Sequence, residues 1–177
     1  MKKVSSIIIM ILVYFFIYFL QINFFSWFNI NGVKPNLFIV LVLLVGIFID
    51  GKAGAIFGFI SGLYTDFLFS NTIGISAILF AVVGYSSTIL ENRFSSDSKI
   101  TILIMQSIVT AIYEFVLVGY RALFLHAYTD ILPFIYILAI EILFNALVII
   151  ILYPLIQRFG FYLESVFNKK EMLTRYF

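Results

Sequence analysis

Polar side chains recur within two of the most apolar segments of the chain, and they are the residues best placed to do chemistry. Acids inside a membrane can line a polar pocket or a proton path, or they can bond across helices and hold a bundle together. Spacings of four and seven place residues on one helix face. Two such sets form a candidate intramembrane polar network: Gln106, Thr110, Glu114 and Arg121 in one segment, and Glu141 and Asn145 in the next.

The two glutamates of this network are predicted to lie at similar depth, near the middle of a bilayer, since each is about nine to eleven residues from one end of its segment. An unpaired acid at that depth costs about 3 kcal/mol or more, so we expect each glutamate to be partnered or protonated. We favour a structural role over a proton path. The expected pairs are Asp66 with Arg121, and Glu114 or Glu141 with Asn145, Gln106 or a tyrosine hydroxyl.

Most catalytic chemistries lack the residues they need in this sequence. There is no cysteine, and the single histidine, His126, is read as a solvated loop residue. Metal clusters of the usual ligand spacing are therefore not expected. The motifs GxxxxGK[ST], HExxH and GxSxG are absent from the sequence. We predict a protein that is not an enzyme, uses no cofactor or metal and has no nucleic-acid partner.

Composition identifies the elements that must position the polar residues. The chain has 177 residues, 63% of them hydrophobic and 11% charged, and its mean hydropathy is +1.13. These values are typical of an all-α integral membrane protein with several spans. We treat residues 1–177 as a single membrane domain with a tail at 157–177. Six transmembrane helices are predicted, at 4–25, 36–49, 53–69, 74–90, 100–125 and 132–156.

The second and third spans are shorter than the roughly twenty residues that cross a hydrocarbon core. They could sit partly inside the bundle, thin the bilayer locally or be broken. The turn between them, Asp50-Gly51-Lys52, is long enough only for a tight helical hairpin.

The placement of lysine and arginine predicts the orientation. With both termini in the cytoplasm, only Lys34 and Arg121 fall on the outer side, as the positive-inside rule requires. The tail is read as an amphipathic end on an anionic membrane surface or as a docking segment for a partner. Nine basic residues then face the cytoplasm: Lys2, Lys3, Lys52, Arg93, Lys99, Arg158, Lys169, Lys170 and Arg175.

Glycine recurs at every fourth position of the third span, as Gly54, Gly58 and Gly62, and Asp66 takes the next step. We call the three glycines the glycine face, and with Asp66 and Gly74 they form a candidate face for helix packing or for a partner. Small residues at this spacing let another helix backbone approach closely. The sequence does not decide whether that helix belongs to this chain or to a partner.

This stretch carries a family resemblance. Pro35-Asn36 opens a short span, the glycine face and Asp66 follow, Gly74 starts the fourth span, and Gly84-Tyr85 lies within it. In these features, and in its length and span count, the chain resembles the rod shape-determining protein MreD family of bacterial inner membranes.

The resemblance implies a non-enzymatic, multi-pass scaffold of the bacterial cytoplasmic membrane. It would belong to the elongation machinery that builds the lateral peptidoglycan wall and maintains rod shape. It also implies four partners: MreC, the actin-like MreB, RodA and a transpeptidase penicillin-binding protein.

The alternative is a substrate-binding S-component of an energy-coupling-factor vitamin transporter. Such components are also small six-span proteins with short, glycine-rich helices, so we expect the fold to resemble theirs. The first span here has no alanine to form the docking face usual in that class, and the loop after the third span is short. We therefore favour the scaffold, with no small-molecule substrate.

Overall fold

A computed structural model describes residues 2–69, 72–93, 99–124, 126 and 130–167 of the chain. The described residues are helical apart from short connections, and they include no strand beyond one isolated bridge between Ile30 and Val33. The predicted all-α class is confirmed. Six helices follow one another: α1 (Lys2–Phe19), α2 (Leu37–Phe48), α3 (Gly51–Phe69), α4 (Ile75–Arg93), α5 (Lys99–Phe124) and α6 (Ile131–Phe167).

Three of these helical stretches are long and apolar enough to cross a membrane. They are Ser6–Trp27, Lys99–Phe124 and Ile131–Phe167. The first includes α1 from Ser6 onward, a π-helical turn at Leu20–Phe24 and a last turn at Phe25–Trp27. The π turn brings Gln21 to the start of α2, where its amide donates to the Pro35 carbonyl and accepts from the Leu37 N–H.

Helix α2 is enclosed by the other helices. Its 12 residues span only about 18 Å, against about 30 Å for a hydrocarbon core. Ten of the 12 are buried. Of the three arrangements that the sequence allows for a short span, the structure has the one inside the bundle. Asn36 caps the helix by accepting from the Ile39 N–H.

The last helix is longer than predicted. It continues through Pro154 and ends at Phe167 rather than at residue 156. One side of the extension packs against the bundle, with Leu163 in the main core and Gly160 against the Phe48 ring. The Ser6 hydroxyl donates to the Tyr162 hydroxyl, so the start of α1 and the end of α6 meet. The first part of the predicted tail is therefore helix, whereas residues 168–177 lie outside the described residues.

Candidate functional site

The glycine face is covered by helix α4 of the same chain. A Cβ placed on Gly58 would lie 2.3 Å from the Phe80 carbonyl oxygen, and one on Gly62 would lie 2.5 Å from Ala77 Cα. No real Cβ tolerates such distances, so only glycine permits this approach.

A glycine on the opposite helix completes the contact. A Cβ on Gly84 of α4 would lie 2.2 Å from the Gly54 carbonyl carbon, and one on Gly54 would lie 2.6 Å from Gly46 Cα in α2. Three helices therefore approach one another at glycines. The face is used for packing within the bundle and is not exposed to a partner.

Asp66 continues the glycine face and caps the next helix. It is buried, and its carboxylate accepts from the N–H groups of Gly74, Ser76 and Ala77 at 2.8, 3.3 and 3.3 Å. These N–H groups stand at the start of α4, where no intrahelical partner exists. A negative charge there is also favoured by the helix dipole. The pair expected between Asp66 and Arg121 is thus replaced by backbone contacts.

The polar residues of α5 and α6 meet in the core. The Thr110 hydroxyl accepts from the Gln106 amide at 2.8 Å and from the Asn145 amide at 3.4 Å. The Asn145 oxygen accepts from the Asn36 N–H at 2.8 Å. These contacts tie α5 and α6 to the start of α2. Among the described residues, the buried oxygen of Gln106 has no hydrogen-bond partner.

Glu114 and Glu141 form a second contact between the same two helices. Their carboxyl groups are hydrogen-bonded to each other. Such a bond uses the proton of one acid, because an ionised carboxylate only accepts. The pair therefore carries at most one negative charge. The neighbouring Tyr113 is hydrogen-bonded to Ser76 of α4, so a third helix is joined to this level.

Arg121 lies in the last turn of α5 and is exposed. It interacts electrostatically with Glu114, two turns away. No close ion pair to an acid holds its guanidinium within the described part of the chain. Lys34 is also exposed, and its ammonium donates to the Ser26 hydroxyl at 3.0 Å.

Arg121, Lys34 and the Glu114–Glu141 pair line a cavity of about 550 Å³. It lies where α1, α3 and α5 end and where α2, α4 and α6 begin, so it opens at the end of the bundle opposite Ser6 and Tyr162. No group of three His, Cys, Asp or Glu suited to a metal ion occurs among the described residues. The polar and charged lining comprises Gln21, Ser26, Lys34, Asn36, Thr65, Asp66, Ser76, Tyr113, Glu114, Arg121 and Glu141.

Sequence reasoning missed several members of this site. Gln21, Asn36 and Ser76 each bond across helices, yet none was placed in the polar network. Asn36 offered a signal, because asparagine directly before an apolar run is a common helix N-cap. Gln21 and Ser76 gave none, since a single polar residue near a span end is common. His126, which the sequence placed in a loop, is exposed and has a positive φ of 51°.

The fold and the site define a helical membrane protein with a tightly packed core and a polar cavity at one end. The family model for rod shape-determining protein MreD matches residues 1–162. The chain belongs to this family, which acts in determining rod shape. No significant match was found among curated proteins or among solved structures.

Proposed function

We propose that the protein is a non-enzymatic scaffold of the machinery that elongates the lateral cell wall. The observation that carries the proposal is the family match over residues 1–162. The bundle is consistent with it, because over the residues that the structure describes the helices leave only short connections and no segment large enough for a catalytic domain. The scaffold would span the bacterial cytoplasmic membrane several times, with both termini in the cytoplasm.

The partners we propose are MreC and, directly or through it, MreB, RodA and a transpeptidase penicillin-binding protein. The glycine face does not serve these contacts, because α4 covers it. Other exposed surfaces must therefore be used. Co-purification of each partner with the full chain tests this list, and retention of none of them would contradict it.

Depletion of the protein in its rod-shaped host tests the function. We expect the cells to round and swell, and an intact copy supplied in trans should restore rods. The polar cavity also suits the alternative, an S-component that binds a small molecule. In that case depletion would leave cell shape intact and would create a requirement for a vitamin in the medium.

A matched pair of variants sharpens this experiment. Gly84→Ala should fail to restore rods because it prevents close packing, whereas Gly119→Ala should restore them because nothing lies within 4 Å of its added Cβ. Restoration by both variants at equal protein levels would show that the packed bundle is not what the cell requires.

A further inference from the structure

The cavity at the end of the bundle presents charges of both signs. Its lining includes two cations, Arg121 and Lys34. It also includes the Glu114–Glu141 pair and Asp66. Two cations thus face two anionic groups, since the glutamate pair carries at most one charge. Such a site does not favour a ligand with a large net charge of either sign.

The anionic groups are not equally available to a ligand. Asp66 already accepts three backbone N–H groups. Within the described residues, the carboxyl groups of Glu114 and Glu141 are hydrogen-bonded to each other, and their oxygens have further acceptor positions. The pair is therefore the acceptor that the cavity can offer to a cation.

Among the cations, Arg121 is the donor that the cavity can offer. It is exposed and is not held in a close ion pair by a described acid. A guanidinium presents several N–H groups in a planar fork that suits two oxygens of a phosphate. Arg121 and Glu114 are seven residues apart on α5, which separates their levels by about 10 Å of helix axis.

We propose that this cavity binds the headgroup of an aminophospholipid, a phosphodiester with a primary ammonium. The phosphate contacts Arg121, and the ammonium donates to the Glu114–Glu141 pair. The ligand is zwitterionic and so matches the balance of charges in the cavity. The volume, about 550 Å³, is in the range of ordinary small-ligand sites.

A lipid is favoured over a soluble zwitterion by apolar side chains at the edge of the cavity. Leu117 lines the cavity one helical turn before Arg121. Phe67, which follows the lining residue Asp66 at the end of α3, is exposed. Side chains of this kind at a membrane-embedded surface provide contacts for acyl chains next to the headgroup.

Two other lipid classes are disfavoured by the same groups. The quaternary ammonium of phosphatidylcholine has no N–H to donate to the carboxyl pair. Phosphatidylglycerol has no cationic group. Its phosphate would add a negative charge near the Glu114–Glu141 pair, with no ligand ammonium to offset it.

Lipid retention measured by native mass spectrometry tests the proposal. The full chain, in detergent, is equilibrated with equal amounts of phosphatidylethanolamine, phosphatidylcholine and phosphatidylglycerol. We expect selective retention of phosphatidylethanolamine, reduced about tenfold by Arg121→Gln, since one charge-assisted contact is lost. Glu141→Gln should reduce the preference over phosphatidylcholine. Arg158→Gln, at an exposed position near the other end of the bundle, should change nothing.

The outcomes separate the proposal from its competitors. Equal retention of the three lipids, or equal effects of Arg121→Gln and Arg158→Gln, would overturn it. Free phosphoethanolamine is tested for its effect on the melting temperature of the protein. If it raises this temperature as much as the lipid does, the ligand is a soluble molecule with the same headgroup, and the proposal of a lipid is overturned. A photocrosslink from Leu117 to a co-purifying protein, with no lipid retained, would show that a protein occupies the cavity and would also overturn the proposal. Arg121 is exposed, so its variant is expected to fold, and a melting curve checks this.

Discussion

The side-chain oxygen of Asn145 accepts a hydrogen bond from the backbone N–H of Asn36 at 2.8 Å, across 109 residues of sequence. The contact fixes the start of the enclosed helix α2 to the middle of α6. The same Asn145 donates to Thr110 of α5, so one fully buried side chain joins three helices.

Asn145→Leu should therefore destabilise the bundle. It leaves the Asn36 N–H without its acceptor, and a buried unsatisfied group costs about 1–3 kcal/mol. The free energy of unfolding in an SDS titration measures this loss. Asn23→Leu is the control, because Asn23 is exposed and bonds only within its own helix. Equal stability of the two variants would contradict the role given to Asn145.

Gly84→Ala should disrupt the contact between α3 and α4. The new Cβ would lie 2.2 Å from the Gly54 carbonyl carbon, and backbone cannot move aside as a side chain does. We expect a loss of about 1–3 kcal/mol or more, as for other overpacked cores.

The matched control for that substitution is Gly119→Ala. Gly119 has nothing within 4 Å of its added Cβ, and alanine in a helix is favoured over glycine by about 0.5–1 kcal/mol. The yield of monodisperse protein after size exclusion compares the two variants. A normal yield for Gly84→Ala would contradict the close approach.

Asp66→Ala should weaken the start of α4 by about 0.5–2 kcal/mol, the usual cost of a lost helix cap. Asp66→Asn should retain much of that stability, because one oxygen remains to accept backbone N–H groups. Hydrogen exchange at Ser76 and Ala77 reports the cap directly. If exchange were unchanged in Asp66→Ala, the carboxylate would not be what protects these N–H groups.

Glu141→Leu should be more harmful than the double substitution Glu114→Gln with Glu141→Gln. Leucine leaves the Glu114 carboxyl without its partner in the bundle, whereas two amides can bond to each other in the same place. Melting temperatures in detergent compare the two proteins. A double variant that melts as low as Glu141→Leu would show that the amides cannot replace the carboxyl bond.

Much of the fold follows from patterns of period near four. These patterns predict the six helices, the hairpin at Asp50-Gly51-Lys52 and the shared faces of Gln106 with Thr110 and of Glu141 with Asn145. Such features are determined by the spacing of residues along one helix, so the sequence of a single segment is enough to predict them.

Other features depend on which helices are neighbours, and the sequence does not encode that locally. A span buried in protein and a span facing lipid are both apolar, so the enclosure of α2 left no distinct pattern. Asp66 bonds to backbone N–H groups, which every residue has, and it therefore could not be told from an acid paired with Arg121. The continuation of α6 past Pro154 was missed because proline usually ends a helix.

The enclosure of α2 constrains how the protein is made. A 12-residue helix is too short to be held in a bilayer by its own length, and its surfaces are satisfied by the neighbouring helices. We therefore expect α2 to insert together with α3, as one hairpin. Its contact with Asn145 can form only after α6 has been synthesised, because Asn145 follows Asn36 by 109 residues. We expect the second helix of this chain to reach its final surroundings late in folding.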